Sequence, residues 1–138
     1  MNLIMVESRE TVLITGVTGY LGIYVLKDLL TKHPNFKVRA SVRSLGNKEK
    51  MAKLEVALGK DLFEQVEFAE ADLSDERTIH EAVKGMDHIL HIANPVPGSG
   101  VLNEANFIEP VRIGTRAILE ACKTNKVKTL VITSSIVV

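Results

Sequence analysis

The stretch TVLITGVTGYLG, residues 11–22, joins an uninterrupted apolar run to three glycines spaced three residues apart. The run is rich in β-branched residues and does not alternate, which is typical of a strand buried on both faces of a parallel sheet. The glycines, Gly16, Gly19 and Gly22, follow where such a strand would turn into a helix. Because the free N–H groups of a first helical turn favour negative charge, this arrangement predicts an anion site.

Each glycine has an expected role at such a site. Gly16 allows the tight turn, Gly19 lets the backbone approach a pyrophosphate, and Gly22 lets the helix lie close on the strand. Turn geometry and packing alone are the alternative explanation. The position of the glycines after a buried strand and before a helix favours a dinucleotide-binding loop.

Strands and helices alternate along the rest of the chain. The predicted elements are a helix over 20–32, a strand over 36–43, a helix over 47–58, a strand over 66–69, a helix from the N-cap Ser74 to Gly85, a strand over 88–93, a helix over 103–125 and a strand over 128–133. Pro110 should either kink the long helix or start its main part. The alternation predicts an α/β fold, a Rossmann-type doubly wound parallel sheet of strand order 3-2-1-4-5, with ligand at the carboxyl ends of the strands.

Composition excludes several classes of function. Seventeen basic residues balance seventeen acidic ones, so no global field attracts nucleic acid or an anionic membrane. No stretch approaches the roughly 20 apolar residues of a membrane span, and the first residues lack the features of a signal peptide. Cys122 is the one cysteine, which favours a reducing, cytoplasmic location. The four histidines lack metal-ligand spacing, and His91, on a strand, is expected in the core or at the cofactor's edge.

The end of the second strand indicates which dinucleotide binds. An Asp or Glu there usually holds the 2′-hydroxyl of NAD, but the segment VRASVRSL contains no acid. Arg43 could instead bind the 2′-phosphate of NADP, with a solvated basic edge as the alternative. For Arg39, one pleat deeper on the same face, the solvated edge is the favoured interpretation. Lys48, Lys50 and Lys53 are expected to form a solvated helix face, with a phosphate contact as the less favoured alternative.

Several motifs resemble those of one family. TGVTGYLG resembles the TGxxGxxG motif of the extended short-chain dehydrogenases/reductases. VRASVR followed by a basic helix, ADLSD, HIANP and EPVRIGTRAILEAC with TLVITSS resemble the dihydroflavonol reductase and cinnamoyl-CoA reductase branch. These motifs occur in order over nearly the whole chain. The resemblance implies an NADP-dependent oxidoreductase, a reductase of an aldehyde or ketone, with NADPH preferred over NADH.

The resemblance also implies a role for individual residues, all of them around one dinucleotide. Asn94 departs from the branch, which more often has Thr or Ser there. The implied contacts are Gly16, Gly19, Tyr20, Leu21 and Gly22 with the pyrophosphate, Arg43 with the 2′-phosphate, Asp72 and Leu73 with the adenine, and Ala93, Asn94 and Pro95 with the ribose and nicotinamide side.

The catalytic residues implied by the resemblance are only partly present. Ser135 matches the serine that hydrogen-bonds the substrate oxygen. The family's Tyr-x-x-x-Lys pair, which moves the proton as hydride moves, lies further along, and neither Tyr20 nor Tyr24 has Lys four residues later. Residues 1–138 are therefore expected to form an incomplete dinucleotide-binding domain, truncated after the fifth strand and inactive alone. The substrate-binding C-terminal part would belong to a full-length parent.

Two other functions stay open. One is a non-catalytic NADP-binding sensor or interaction module. The other is an epimerase or dehydratase parent of the extended type, although that class often has Asn where this chain has Val111. The partners expected are the dinucleotide cofactor, a small-molecule substrate in a full-length parent and a second copy of the chain. Dimerisation would use the fifth-strand edge, where TLVITSSIVV is uncharged and β-prone, or the helix over 103–125.

Overall fold

The computed structural model describes residues 9–95 and 105–134 of the chain. Five parallel strands form one sheet in the order β3-β2-β1-β4-β5, which confirms the predicted Rossmann-type order 3-2-1-4-5. The elements in chain order are β1 (Thr11–Thr15), α1 (Tyr20–Lys32), β2 (Lys37–Val42), α2 (Lys48–Leu58), α3 (Lys60–Phe63), β3 (Glu67–Glu70), α4 (Glu76–Val83), β4 (His88–His91), α5 (Ala105–Asn125) and β5 (Thr129–Ile132).

The central strand β1 is buried on both sides, as its non-alternating sequence predicts. Leu13 packs into a cluster formed with α4 and α5, whereas its neighbour Ile14 packs into a cluster formed with α1 and α2. Both side chains are fully buried, and each such burial contributes about 1.5–3 kcal/mol. The two helical layers therefore fix β1, and with it the start of the glycine loop, from opposite faces.

The structure departs from the local predictions at two places and decides part of a third. The short helix α3 was not anticipated from the sequence pattern. Pro110 lies inside α5, so of the two expectations for it, that it starts the helix is wrong. Asp75, not Ser74, caps α4, because the Asp75 carboxylate accepts a hydrogen bond from the N–H of Arg77 at 3.1 Å. Ser74 instead donates from its N–H and its hydroxyl to the same oxygen of Asp72, at 2.9 and 2.5 Å.

Arg39 is a structural residue, so its interpretation as a solvated basic edge is wrong. Its guanidinium donates to Glu67, its register partner on β3, at 2.9 Å through Nε. Nη1 donates to the backbone carbonyls of Ala82 and Lys84, both at 2.8 Å, where α4 ends. A cation is favourable at the carbonyl end of a helix. Arg39 therefore joins β2, β3 and α4, and only 16% of its side chain is exposed.

A polar network joins the amino ends of three adjacent strands. Lys128 Nζ lies 2.7 Å from Glu10 Oε1 and 3.1 Å from Asp87 Oδ1. Asp87 also accepts hydrogen bonds from the N–H and the hydroxyl of Thr11, at 2.9 and 3.0 Å. The Thr11 N–H and then Lys128 lower the pKa of Asp87 to about 2. These residues precede or begin β1, β4 and β5, at the opposite end of the sheet from the glycine loop.

Candidate functional site

Gly16 and Gly22 are required by contacts within the protein. Gly16 has a φ of +77°, and a Cβ added there would lie 2.7 Å from the amide nitrogen of Ala93. A Cβ at Gly22 would lie 2.1 Å from the carbonyl oxygen of Gly16. The glycines thus let β1 turn beside the segment that follows β4 and let α1 lie directly on that turn.

Gly19 differs from the other two glycines, since nothing in the described protein requires its lack of a side chain. Its φ of −93° is open to any residue, and an added Cβ would meet only the Gly16 oxygen, at 3.4 Å. Packing therefore explains Gly16 and Gly22 but leaves Gly19 without a structural reason. Space in front of Gly19 is what a backbone that closely approaches a ligand needs.

The amino end of α1 presents free hydrogen-bond donors beside that space. Gly19 is its N-cap, with no side-chain cap and no acidic residue in the first turn. Within residues 9–95 and 105–134, the backbone N–H groups of Tyr20, Leu21 and Gly22 have no acceptor. Such groups, together with the helix dipole, favour a bound anion.

A groove of about 920 Å³ runs along the carboxyl ends of the strands, next to the glycine loop. It contains most of the residues to which the sequence assigns a cofactor contact, although they come from four separate stretches of the chain. The predicted residues that border it are Gly16, Gly19, Tyr20, Leu21, Gly22, Arg43, Leu73, Ala93, Asn94 and Pro95.

Asp72 lies between two groove residues, Ala71 and Leu73, at the end of β3. The hydrogen bonds from the Ser74 hydroxyl and N–H, with the nearby charge of Arg43, hold the pKa of Asp72 below its usual value. Its Oδ2 lies 3.8 Å from Arg43 Nε. Asp72 is therefore a carboxylate with one oxygen engaged by Ser74 and the other near a cation.

The structure separates the lysines of α2, which the sequence had treated as one solvated face. Lys50, in the first turn of α2, borders the same groove as Arg43, whose side chain is 73% exposed. Lys53, one turn later, does not border that groove and is paired with Glu49 at 2.6 Å, although it shares with Lys50 the wall of a smaller cavity beside Gly19. Lys50 forms no ion pair with any residue that the structure describes. The sequence did contain a signal for Lys50, which is a lysine in the first turn of the helix that follows a basic strand end. The orientation of α2 about its axis, which shows which lysine faces the groove, is known only from the structure.

The floor of the groove contains buried polar residues, of which His91 is the largest. His91 is 4% exposed and Thr15 is 3% exposed, and Thr15 Oγ1 lies 2.9 Å from His91 Nδ1. Burial lowers the pKa of His91, which favours the neutral imidazole. The residue therefore lies both in the core and at the groove, the two positions expected for it.

The model of the 3-beta hydroxysteroid dehydrogenase/isomerase family matches residues 13–138. This chain belongs to that family. The match confirms the expected membership of the extended short-chain dehydrogenases/reductases. The curated relatives confirm the similarity to the dihydroflavonol reductase and cinnamoyl-CoA reductase branch. A dihydroflavonol 4-reductase of Arabidopsis thaliana is 35% identical over 133 residues, which cover 95% of this chain and 34% of the relative. Cinnamoyl-CoA reductase 1 of Petunia hybrida is 31% identical, with 94% of this chain and 36% of the relative covered.

Solved structures of reductases also resemble this chain in fold. Yeast methylglyoxal/isovaleraldehyde reductase complexed with NADPH superposes with a TM-score of 0.72 at 25% identity, covering 91% of this chain and 37% of that one. Vestitone reductase from alfalfa has a TM-score of 0.65 at 30% identity, covering 90% and 36%. The chain thus spans about a third of the length of the curated relatives and solved structures that it matches.

Three further predictions concern the catalytic serine, metal binding and membrane spans. Ser135, the predicted catalytic serine, lies outside the described residues, whereas its neighbour Ser134 is exposed and borders the groove. Across residues 9–95 and 105–134, no three His, Cys, Asp or Glu side chains gather as a metal site would require. None of the helices in those ranges is long and apolar enough to cross a membrane.

A close contact at Leu73 was not foreseen from the sequence. Gly114 of α5 lies against this side chain, and a Cβ at Gly114 would lie 2.6 Å from Leu73 Cδ2. Val111 and Thr115 of the same helix border the groove. The helix glycine therefore brings α5 up to the segment after β3 and holds Leu73 at the groove wall.

Proposed function

We propose that this chain is the NADP-binding part of a reductase that acts on an aldehyde or ketone, and that residues 1–138 form one incomplete dinucleotide-binding domain. The observation that carries the proposal is the open space at Gly19, beside free helix N–H groups and two cations at the end of β2 and the start of α2. The names of the relatives, which are reductases, and the NADPH bound to the yeast reductase support it.

The residues present fit NADP because each part of the cofactor has a partner of suitable chemistry. The N–H groups of Tyr20 and Leu21 would donate to the pyrophosphate in the space that Gly19 leaves. Arg43 and Lys50 would bind the 2′-phosphate, which Asp or Glu at the same place would repel. When bound, the cofactor would supply hydride, and the groove at the carboxyl ends of the strands would hold the cofactor in place.

The remaining contacts are assigned to the other strand ends. Asp72 would accept a hydrogen bond from the exocyclic amine of the adenine, and Leu73 would pack on the ring. Ala93, Asn94 and Pro95 would run beneath the ribose and nicotinamide.

The proton that accompanies hydride transfer requires a separate donor. We assign Ser135 the hydrogen bond to the substrate oxygen. Tyr20 and Tyr24 are the two tyrosines of the 138 residues, and neither begins a Tyr-x-x-x-Lys pair. Turnover is therefore assigned to a longer polypeptide, in agreement with the third of the relatives' length that this chain spans.

Cofactor preference provides the direct experiment. We expect the wild-type chain to bind NADPH roughly tenfold or more tightly than NADH, since a charged hydrogen-bonded contact contributes about 1.5–3 kcal/mol. Arg43→Ala and Lys50→Ala should each weaken NADPH binding while changing NADH binding little. Isothermal titration calorimetry with both cofactors measures all of these affinities.

Lys53→Ala is the matched control, because Lys53 has the same charge and the same helix but pairs with Glu49. It should leave both affinities unchanged. Equal affinity of the wild type for NADPH and NADH would contradict the proposed NADP specificity, and no binding of either would contradict the proposed function.

The proposal also includes self-association and a cytoplasmic location. β5 is an edge strand of the described sheet, with Val131 49% and Ile132 41% exposed, and α5 exposes Ile108 and Leu119. We expect the apparent mass in light scattering to rise with concentration, because an unpaired strand edge is a template for another chain. A monodisperse monomer at high concentration would contradict it. The cytoplasmic location rests on Cys122 being the one cysteine of the 138 residues. Burial raises the pKa of its thiol, which makes it a weak nucleophile.

A further inference from the structure

The hydroxyl of Thr15 is a point of contact between the end of β1 and the segment after β4. Thr15 Oγ1 accepts hydrogen bonds from the backbone N–H groups of Ile92 and Ala93, at 3.1 and 3.0 Å. It also lies 2.9 Å from Nδ1 of His91. All three contacts join residues 76 to 78 positions apart in the chain.

The direction of the third bond follows from counting donors and acceptors. A threonine hydroxyl has one proton to donate and two lone pairs that accept. The two amide groups can only donate, so they occupy both lone pairs. The Thr15 proton must then go to His91 Nδ1, which accepts it only when Nδ1 carries no proton. His91 is therefore the neutral tautomer with its proton on Nε2.

This set of bonds holds the backbone segment against which Gly16 packs. The Ala93 amide held by Thr15 is the group that a Cβ at Gly16 would meet at 2.7 Å. Gly16, His91 and Ala93 all border the groove in which we place the cofactor. Beyond the last paired residues of β1 and β4, Thr15 and His91, the Thr15 hydroxyl thus joins the turn after β1 to the segment after β4, and the orientation of that hydroxyl depends on His91.

We propose that His91 is a positioning residue of the nucleotide site: by accepting the Thr15 proton, it orients that hydroxyl toward the Ile92 and Ala93 amides and so holds the groove floor against Gly16. The inference rests on the proposed NADP-binding function. An apolar residue at position 91 would fill the same core volume but leave the Thr15 proton without its acceptor. The hydroxyl would then turn to donate elsewhere and give up one of the two amides.

Two substitutions separate hydrogen bonding from packing. His91→Phe keeps a buried ring without an acceptor, whereas His91→Asn retains a side-chain oxygen close to the position of Nδ1. We expect NADPH affinity to fall about five- to tenfold in His91→Phe and to recover to within about twofold of wild type in His91→Asn. Ile89→Val is the control, because Ile89 is buried on the same strand within the α4/α5 cluster. It should lower thermal stability and leave the affinity unchanged.

A double-mutant cycle and the imidazole resonances test the hydrogen bond between Thr15 and His91 directly. Thr15→Val removes the hydroxyl, so adding His91→Phe to it should cause no further loss of NADPH affinity. In the ¹⁵N spectrum of the wild-type chain without ligand, His91 should show a protonated Nε2 and an unprotonated, hydrogen-bonded Nδ1 near neutral pH. This readout does not depend on cofactor binding or on the folding of a variant.

The outcomes distinguish this inference from the function on which it rests. A proton on Nδ1 of His91, additive losses in the cycle, or His91→Phe binding NADPH within about twofold of wild type would each overturn the inference alone. Failure of the wild type to bind NADPH would overturn the proposed function and the positioning role together.

Discussion

A Gly19→Val chain is expected to bind NADPH at least about a hundredfold more weakly than the wild type while keeping its fold. Its backbone angle is accessible to valine, and the first atom of the new side chain would meet only the Gly16 oxygen, at 3.4 Å. The branched side chain would instead fill the space beside the free N–H groups of α1. Loss of a hundredfold corresponds to about 2.7 kcal/mol, the scale of one to two hydrogen bonds to a charged group.

Calorimetric titration measures the affinity, and thermal melting followed by circular dichroism measures the fold. Gly19→Ala should be intermediate, because a single methyl group takes less of the same space. Unchanged affinity in Gly19→Val would mean that the loop is only a turn. Loss of the folded signal would mean that Gly19 is needed by the protein and not by a ligand.

Gly22→Ala should have the opposite effect, a loss of stability that does not depend on any ligand. The added methyl would stand 2.1 Å from the Gly16 oxygen and 2.6 Å from its carbonyl carbon, and both are backbone atoms that cannot rotate away. Helix α1 must therefore move off the loop. We expect a cost of about 3 kcal/mol, the upper end of the usual range for overpacking. In a domain of this size the melting temperature should fall by roughly 10 °C.

Gly46→Ala is the matched control for Gly22→Ala. Its added methyl would meet only the Ser44 hydroxyl, at 3.5 Å, so it should be neutral or slightly stabilising. Urea unfolding of the two variants and the wild type gives the free energies of unfolding. A difference below about 0.5 kcal/mol between Gly22→Ala and the wild type, the usual range of harmless surface changes, would contradict the close packing of α1 on the loop.

The parts of the fold that could be predicted from sequence depend on signals a few residues apart. Helix α1 begins and ends where its apolar periodicity and the following KHPN segment place it, and Gly85 ends the α4 region with a φ of +73° as expected. The alternation of strands and helices predicts a doubly wound parallel sheet, and the Rossmann order chosen among such sheets is the one observed. These features need no knowledge of distant contacts.

Some predictions failed, and some contacts were missed, because the groups involved are far apart in sequence. The cap of α4 was assigned to the wrong residue because two adjacent residues, Ser74 and Asp75, can both cap a helix. Arg39 binds the end of α4 more than forty residues later, which strand alternation cannot indicate. Ser74 loses the cap position because Asp72 engages it and Asp75 takes its place. The Thr15 and His91 pair requires β1 and β4 to be neighbours in correct register. Only the assembled sheet brings such groups together.

The two ends of the edge strand β5 differ, because the Lys128 network anchors its amino end and its carboxyl end is exposed. Lys128 precedes β5 and binds the carboxylates of Glu10 and Asp87, whereas Ile132, at the other end, is 41% exposed and borders the groove. We therefore expect local opening of β5 to begin at the groove and not at Lys128, since low-energy fluctuations begin where contacts are fewest. On that expectation, the wall of the groove on the β5 side would adjust to occupants of different width, while the hydrogen bonds between β1 and the segment after β4 would keep their spacing constant.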